Sequence, residues 1–235
     1  MQRYFVDKNI KDTFLLNEED SYHLLKVMRS KLNDKVEIVC NKELYLCEIV
    51  SINPTKVKIV SKVEERENDF HVDIAQALVK EQKMDMIIQK STELGVNKII
   101  PLVTERSVVK LNNKINNKIS RWNTVAKNAS EQAKRLTISE VLSPITIDEL
   151  TKLDYDYKVL CSVNELSKNV KKVLANAKTS DTIVFVVGPE GGFTDEEEAK
   201  LLSSGFISVT LGNNVLRTET TSLFLLSVVG YHFMR

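Results

Sequence analysis

From about residue 70 onward, short β-branched apolar runs alternate with helix-patterned segments, and that alternation limits the fold more than any other feature. Val72 to Val79 reads as a buried strand. Gln82 to Leu94 reads as an amphipathic helix, with Met84, Ile87, Ile88 and Leu94 on one face and Asp85, Gln89, Lys90 and Glu93 on the other. Gly95 closes it, and Lys98 to Val103 is the next strand. Strand, helix and strand in succession imply a βαβ unit and a parallel sheet. The pattern continues with a long helix over 114–134, a strand over 158–163, a helix over 164–177 and a strand from Thr182. An open α/β sheet places its ligand crevice at the carboxyl ends of its strands.

Two such strand ends carry glycine. Five of the seven glycines fall between Gly188 and Gly212. Ile183 to Val187 runs straight into Gly188-Pro189-Glu190-Gly191-Gly192, and a strand over 206–211 runs into Gly212-Asn213-Asn214. Glycine serves where the backbone turns through positive φ or a ligand comes close. The helix between the loops is signalled by Thr194 with Glu197 three residues on, a capping box, and by acids in its first turn. Those acids argue against a phosphate at this helix start. No Gly-Lys-Ser/Thr follows, and the G-x-G-x-x-G fingerprint is absent. One glycine loop reads as a tight strand-to-helix turn; two read as a ligand site.

Residues 1–68 follow a different grammar and form an expected first domain, with 69–235 as the second. Val36, Ile38 and Cys40 alternate with polar residues, as do Val57, Ile59 and Val63, with turns at Asn41-Lys42-Glu43 and Asn53-Pro54. This predicts an antiparallel meander closed as a small barrel. Asn17 caps a short helix whose expected apolar face is Tyr22, Leu25 and Met28. A charged linker, Glu64 to Asp69, separates the two grammars. The last helix, from about Glu219, is apolar nearly all round, so either its own domain or a second subunit covers it.

Charge is nearly balanced, at +1 overall, but not evenly spread. Between Arg106 and Arg135, eight basic residues (Arg106, Lys110, Lys114, Lys118, Arg121, Lys127, Lys134, Arg135) face one acid, Glu131, a net +7. Such a segment is either a solvated helix face or a footprint for a polyanion, and the lopsided charge favours nucleic acid, with Lys118 and Arg121 as contacts. Three cysteines without a C-x-x-C pair, all in strand-like runs, read as reduced core thiols of a cytoplasmic protein. The three histidines share no ligand spacing, so no metal is expected. No apolar run reaches membrane-spanning length, and the N-terminus lacks the apolar core of a signal peptide.

Four stretches together carry a family resemblance: Gln89-Lys90-Ser91-Thr92-Glu93-Leu94-Gly95-Val96, Glu131-Gln132-Ala133-Lys134-Arg135, Gly188-Pro189-Glu190-Gly191-Gly192-Phe193, and Leu211-Gly212-Asn213-Asn214-Val215-Leu216-Arg217-Thr218-Glu219-Thr220. The chain resembles the RsmE family, small-subunit ribosomal RNA methyltransferases that make N3-methyluridine in 16S rRNA. The N-terminal block with Arg3, His23-Leu24 and Val27-Met28-Arg29 joins the resemblance. Asn214 stands where the family often has arginine, and Thr221 where alanine is usual. The resemblance implies a PUA-like β-barrel for RNA, then a SPOUT-type α/β domain with a C-terminal trefoil knot. It implies S-adenosyl-L-methionine as methyl donor, 16S rRNA within the small ribosomal subunit as partner, and a homodimer.

Chemistry then assigns expected roles. Gly188, Pro189, Glu190, Gly191 and Gly192, with Leu211, Gly212, Val215 and Leu216, form the donor cradle, and Thr220 offers a hydroxyl. Methylation at N3 of uridine puts negative charge on O2 and O4, so a fixed cation lowers the barrier. Arg217 is that candidate, its competing role being an ion pair with Glu219 or a helix-end contact. Glu219 is a candidate general base. Gln132 and Arg135, with Arg3 and Arg29, are candidate RNA contacts. Two further readings stay open: a related enzyme acting on a ribose 2′-hydroxyl or a tRNA base, and a non-catalytic RNA-binding module.

Overall fold

The computed structural model describes residues 1–7, 10–66, 69–109 and 115–234. It divides into two compact units: Met1–Glu67 with Ser130–Ile138, and Asn68–Ala129 with Ser139–Arg235. The division falls one residue before the expected split at 68 and 69, and 130–138 group with the first unit. Of the charged linker, Glu67 and Asn68 lie outside the described residues.

The first unit is a five-stranded sheet. Its middle is the meander that the alternation predicts: β3 (Lys35–Cys40), β4 (Glu43–Ile52) and β5 (Thr55–Val63), antiparallel throughout. Asn41 and Lys42 take φ of 51° and 65°, the pair of positive angles that a tight two-residue hairpin needs. The edges depart from a simple meander. β1 (Arg3–Phe5) adds in parallel to β3, and β2 (Thr13–Leu15) pairs with β5. The strand order β1-β3-β4-β5-β2 leaves β1 and β2 unpaired with one another. Tyr4, Leu24, Val36, Ile38, Cys47, Ile49 and Val57 fill the core.

The short helix corrects one expectation. Asn17 does cap α1 (Glu18–Tyr22), its side-chain oxygen accepting from the Asp20 amide. The chain then continues as a π-helical turn over His23–Val27. A wider turn resets the phase of the side chains. Leu24, 1% exposed, becomes the buried residue, whereas Tyr22 and Met28 are exposed.

The second unit is a parallel sheet in the order β12-β10-β11-β6-β7-β8, with β9 also pairing with β7. Its strands are β6 (His71–Ala77), β7 (Lys98–Val103), β8 (Glu140–Val141), β9 (Ile145–Thr146), β10 (Tyr157–Cys161), β11 (Thr182–Val187) and β12 (Ile207–Val209). Helices cover both faces, which is why its central strands read as unbroken apolar runs. On one face, Val72, Ile74, Val159 and Phe185 pack with residues of α2 (Glu81–Glu93), α3 (Ile115–Gln132), α5 (Val170–Leu174) and α7 (Thr218–Phe233). On the other, Ala75, Ile100, Leu160, Val184 and Val186 pack with α4 (Ile147–Leu150) and α6 (Asp195–Ser203). No described helix is long and apolar enough to cross a membrane.

The helix expected over 164–177 shrinks to the five residues of α5. Polar side chains take the backbone amides ahead of it. The Glu165 carboxylate accepts from the amides of Ser167 and Lys168, and Asn169 caps α5. Such local bonds compete with helix formation.

Candidate active site

The first loop begins where β11 ends. The Pro189 carbonyl accepts from the Gly192 amide at 3.0 Å, closing a tight turn. Gly192 sits at φ +69°, where a side chain is strained. Gly188 is needed for space instead, because a Cβ there would lie 3.0 Å from the Phe193 ring. Thr194 and Glu197 then form the reciprocal capping box that starts α6. Arg106 braces the turn: its Nη1 donates to the carbonyls of Gly191, at 3.1 Å, and Phe193, at 2.9 Å.

The second loop follows β12. Gly212 takes φ +120°, and residues 212–215 are exposed. Arg217 stands at the N-cap of α7 with its guanidinium exposed, and its carbonyl accepts from the amide and hydroxyl of Thr221. The next residue ties the two loops together. The buried Thr218 hydroxyl donates to the Gly188 carbonyl at 2.7 Å and accepts from Gln76 Nε2 at 2.9 Å. Gln76 ends up fully enclosed near the end of β6, and its Oε1 accepts from the Ser222 hydroxyl at 2.7 Å. The ends of β6 and β11 and the start of α7 are thus held in one fixed arrangement.

Both loops open onto a single cleft of ≈ 1100 Å³, shared with Lys83, Arg106 and the loop after β10. That volume is ample for a nucleoside-sized ligand. A Cβ built on Gly192 or Gly212 meets no atom within 4 Å, so these backbones border open space and suit close approach by a ligand. Lys83 bridges the wall: its Nζ lies 2.9 Å from Glu190 Oε1 and 3.4 Å from Glu219 Oε2. The second contact is an ion pair without hydrogen-bond geometry, as Glu219 Oε2 accepts no hydrogen bond. The hydrogen bond from Lys83 holds the Glu190 carboxyl below its usual range, and the same bond raises Lys83. The Glu190 contribution is complete above the ordinary glutamate range and is lost as pH falls through the lowered value. The Lys83 contribution is complete below the ordinary lysine range and is lost as pH rises through the raised one. Backbone bonds from Lys168 and Ser167 bring Glu165 down to about 2. Burial pushes the Cys161 thiol up to about 12, which removes it as a nucleophile at neutral pH.

Residues 66–230 match the RNA methyltransferase domain family, and residues 16–60 match the RNA methyltransferase PUA domain. Ribosomal RNA small subunit methyltransferase E of Bacillus subtilis is 34% identical over 248 residues, covering 98% of this chain and 96% of that protein. The chain belongs to the ribosomal RNA small subunit methyltransferase E family. The family member from Neisseria gonorrhoeae, solved bound to S-adenosyl methionine, superposes with a TM-score of 0.89 at 29% identity, covering 99% of this chain and 98% of that one. A methyltransferase from Legionella pneumophila, solved with SAM, gives 0.90 at 30% identity, covering 98% and 97%.

Within this family member, Gly188, Pro189, Glu190, Gly191, Gly192, Leu211, Gly212, Val215, Leu216 and Arg217 all line the cleft. Thr220 does not; it is exposed on α7, and Thr218 and Thr221 supply the hydroxyls instead. Glu219 is buried against Lys83 and does not line the cleft either, so it is badly placed to act as a base. The alternative pairing of Arg217 with Glu219 does not form, because Lys83 takes that carboxylate.

The expected RNA contacts fare differently. Arg3 is 2% exposed and bonded to Glu37 at 2.9 Å and Glu65 at 2.6 Å, which makes it a structural cation. Arg135 is buried and donates to Thr137. Arg121 pairs with Glu81 and Asp85 of α2, and Lys134 pairs with Glu37 at 3.0 Å. Two cations of the +7 segment, Arg121 and Lys134, are thus answered by acids from elsewhere in the chain, and Arg106 is spent on backbone carbonyls. Lys118 is half-buried on α3, and Gln132 and Arg29 are exposed. Lys110 and Lys114 lie outside the described residues. Sequence reasoning missed Gln76, Lys83, Arg106 as a brace, and the 162–169 wall. The one usable signal was Gln76, a lone amide in an apolar strand.

Proposed function

We propose that this protein uses S-adenosyl-L-methionine to methylate N3 of a specific uridine in 16S rRNA within the small ribosomal subunit. The observation that carries the reading is the meeting of both glycine loops and Arg217 at one cleft. The donor supplies an electrophilic methyl group there. The backbones of 188–192 and 211–216 hold it, Arg106 keeps the first loop in shape, and Gln76 with Thr218 keeps the loops in register.

The N3 proton of uridine has to leave, and the resulting charge spreads onto O2 and O4. Arg217 presents a planar fork of N–H donors to that charge from the cleft edge. Glu190 is held deprotonated by Lys83 and is a weak proton acceptor. Glu219 is buried beside Lys83 and does not line the cleft, so the proton passes to water. In this reading residues 1–68 bind RNA as a PUA-like barrel and 69–235 form the SPOUT catalytic unit, its C-terminal segment threaded as a trefoil knot. The protein works in the cytoplasm as a homodimer. Support for the dimer is the strip Thr220, Phe224, Ser227 and Tyr231, exposed along α7.

The decisive experiment incubates the protein with labelled donor and small subunits, then identifies the modified nucleoside by mass spectrometry. N3-methyluridine is expected. A 2′-O-methylated nucleoside would assign the related chemistry, and absence of both transfer and donor binding would leave an RNA-binding module.

A further inference from the structure

With Arg121 and Lys134 of the +7 segment paired to acids, a second cluster of positive charge in the first unit stands out. Residues 22–35 contain Lys26, Arg29, Lys31 and Lys35 against one acid, Asp34. Among the described residues none of these four cations makes an ion pair. Asp34 is itself occupied, accepting from the Lys31 amide at 2.7 Å. Glu18 and Glu19 sit one turn back, at the start of α1.

The same stretch is built in an uncommon way. A π-helical turn spans His23–Val27, and such turns recur at functional sites. Its first residue is pinned from below, with His23 Nδ1 2.8 Å from the hydroxyl of the buried Tyr4. Arg29 follows at φ +56°, a left-handed conformation that disfavours arginine. That conformation ends the helix, the Ser30 amide bonding back to the Leu24 carbonyl at 3.1 Å, and it leaves the Arg29 side chain exposed. Tyr22 is a 66% exposed aromatic ring, four residues before Lys26. Exposed aromatics among unpaired cations are how proteins hold single-stranded RNA, with rings stacking on bases and cations on phosphates.

We propose that this π-helical turn and the loop behind it are an RNA-docking surface, with Tyr22 stacking on an unpaired base and Lys26 and Arg29 holding the flanking phosphates. The proposal rests on the rRNA reading above and adds the surface and the form of RNA it takes.

The test measures binding of the full chain to a labelled single-stranded RNA and to small ribosomal subunits across a salt series, with donor affinity and melting temperature as controls. Tyr22→Ala weakens RNA binding roughly 5- to 150-fold, the range for loss of one stacked base, while Tyr22→Phe retains it. Lys26→Glu with Arg29→Glu lowers the salt slope by about 1.4, at about 0.7 per single-strand phosphate contact. Arg29→Gly suits the backbone better, so it keeps or raises the melting temperature yet still loses affinity. Donor affinity stays at the wild-type value throughout. If wild type binds RNA and the variants match it in affinity and slope, the surface is wrong and the enzyme reading stands. If wild type binds no RNA at all, both fall. Variants that change only the oligomeric state make this face a contact between copies, which also overturns the proposal.

Discussion

Gln76 and Thr218 stand 142 residues apart, yet one hydrogen bond between them sets the geometry of both loops. Gln76→Leu leaves the buried Ser222 hydroxyl without its acceptor, while Thr218 keeps its bond to the Gly188 carbonyl. An orphaned buried group costs about 1–3 kcal/mol. The variant is expected to lose that much in urea unfolding and to bind donor more weakly; wild-type stability with wild-type donor affinity would remove Gln76 from the site. Arg217 calls for a kinetic test. Arg217→Ala is expected to slow single-turnover methylation about 10²- to 10³-fold, as loss of one oxyanion donor does, with donor affinity little changed. Arg217→Lys keeps the charge without the fork and falls between. A variant with normal single-turnover rate and poor donor binding would recast Arg217 as a donor ligand. At this scale the glycines were legible because a loop's need for glycine is local. The partners of Gln76 were not, because only the closed fold brings them near.

Helix caps and amphipathic faces are also local, and α2 and α6 appear where Gly95, Gly205 and the Thr194–Glu197 box place them. Misreadings arise where side chains outcompete the backbone, as at Glu165, or where helix pitch changes, as at His23. The charge of α3 is the instructive case. Arg121 looked unbalanced because its acids, Glu81 and Asp85, belong to another helix. Arg121→Ala should therefore cost less than about 1 kcal/mol, as exposed pairs do, measured by thermal unfolding. It should leave the salt slope of RNA binding unchanged. A slope reduced by a full phosphate contact would restore α3 to the RNA face.

Across the whole chain, the change from alternating hairpins to alternating strands and helices announced two kinds of architecture. The grouping of Ser130–Ile138 with the first unit had no such signal, since a segment's spatial neighbours leave no mark on its own pattern. The greasy C-terminal helix left burial open between self and partner. Leu225, Leu226 and Val229 go inward, while Tyr231 stays 81% exposed. Light scattering is expected to give about twice the 26.7 kDa chain mass, and Tyr231→Glu to halve it. An active wild-type monomer would refute the dimer.

The peg formed by Thr218 also sets an order in time. Gln76 is made 142 residues before Thr218, so its strand emerges well ahead of the α7 hydroxyls that answer its amide. Until they arrive the Gln76 amide has only the Ala77 carbonyl, its oxygen lacks Ser222, and the Gly188 carbonyl has no bond from Thr218. The donor site therefore cannot mature piecemeal during synthesis. It is complete only once α7 docks, so a chain that still lacks α7 holds its glycine loop and its strand without a fixed donor cleft.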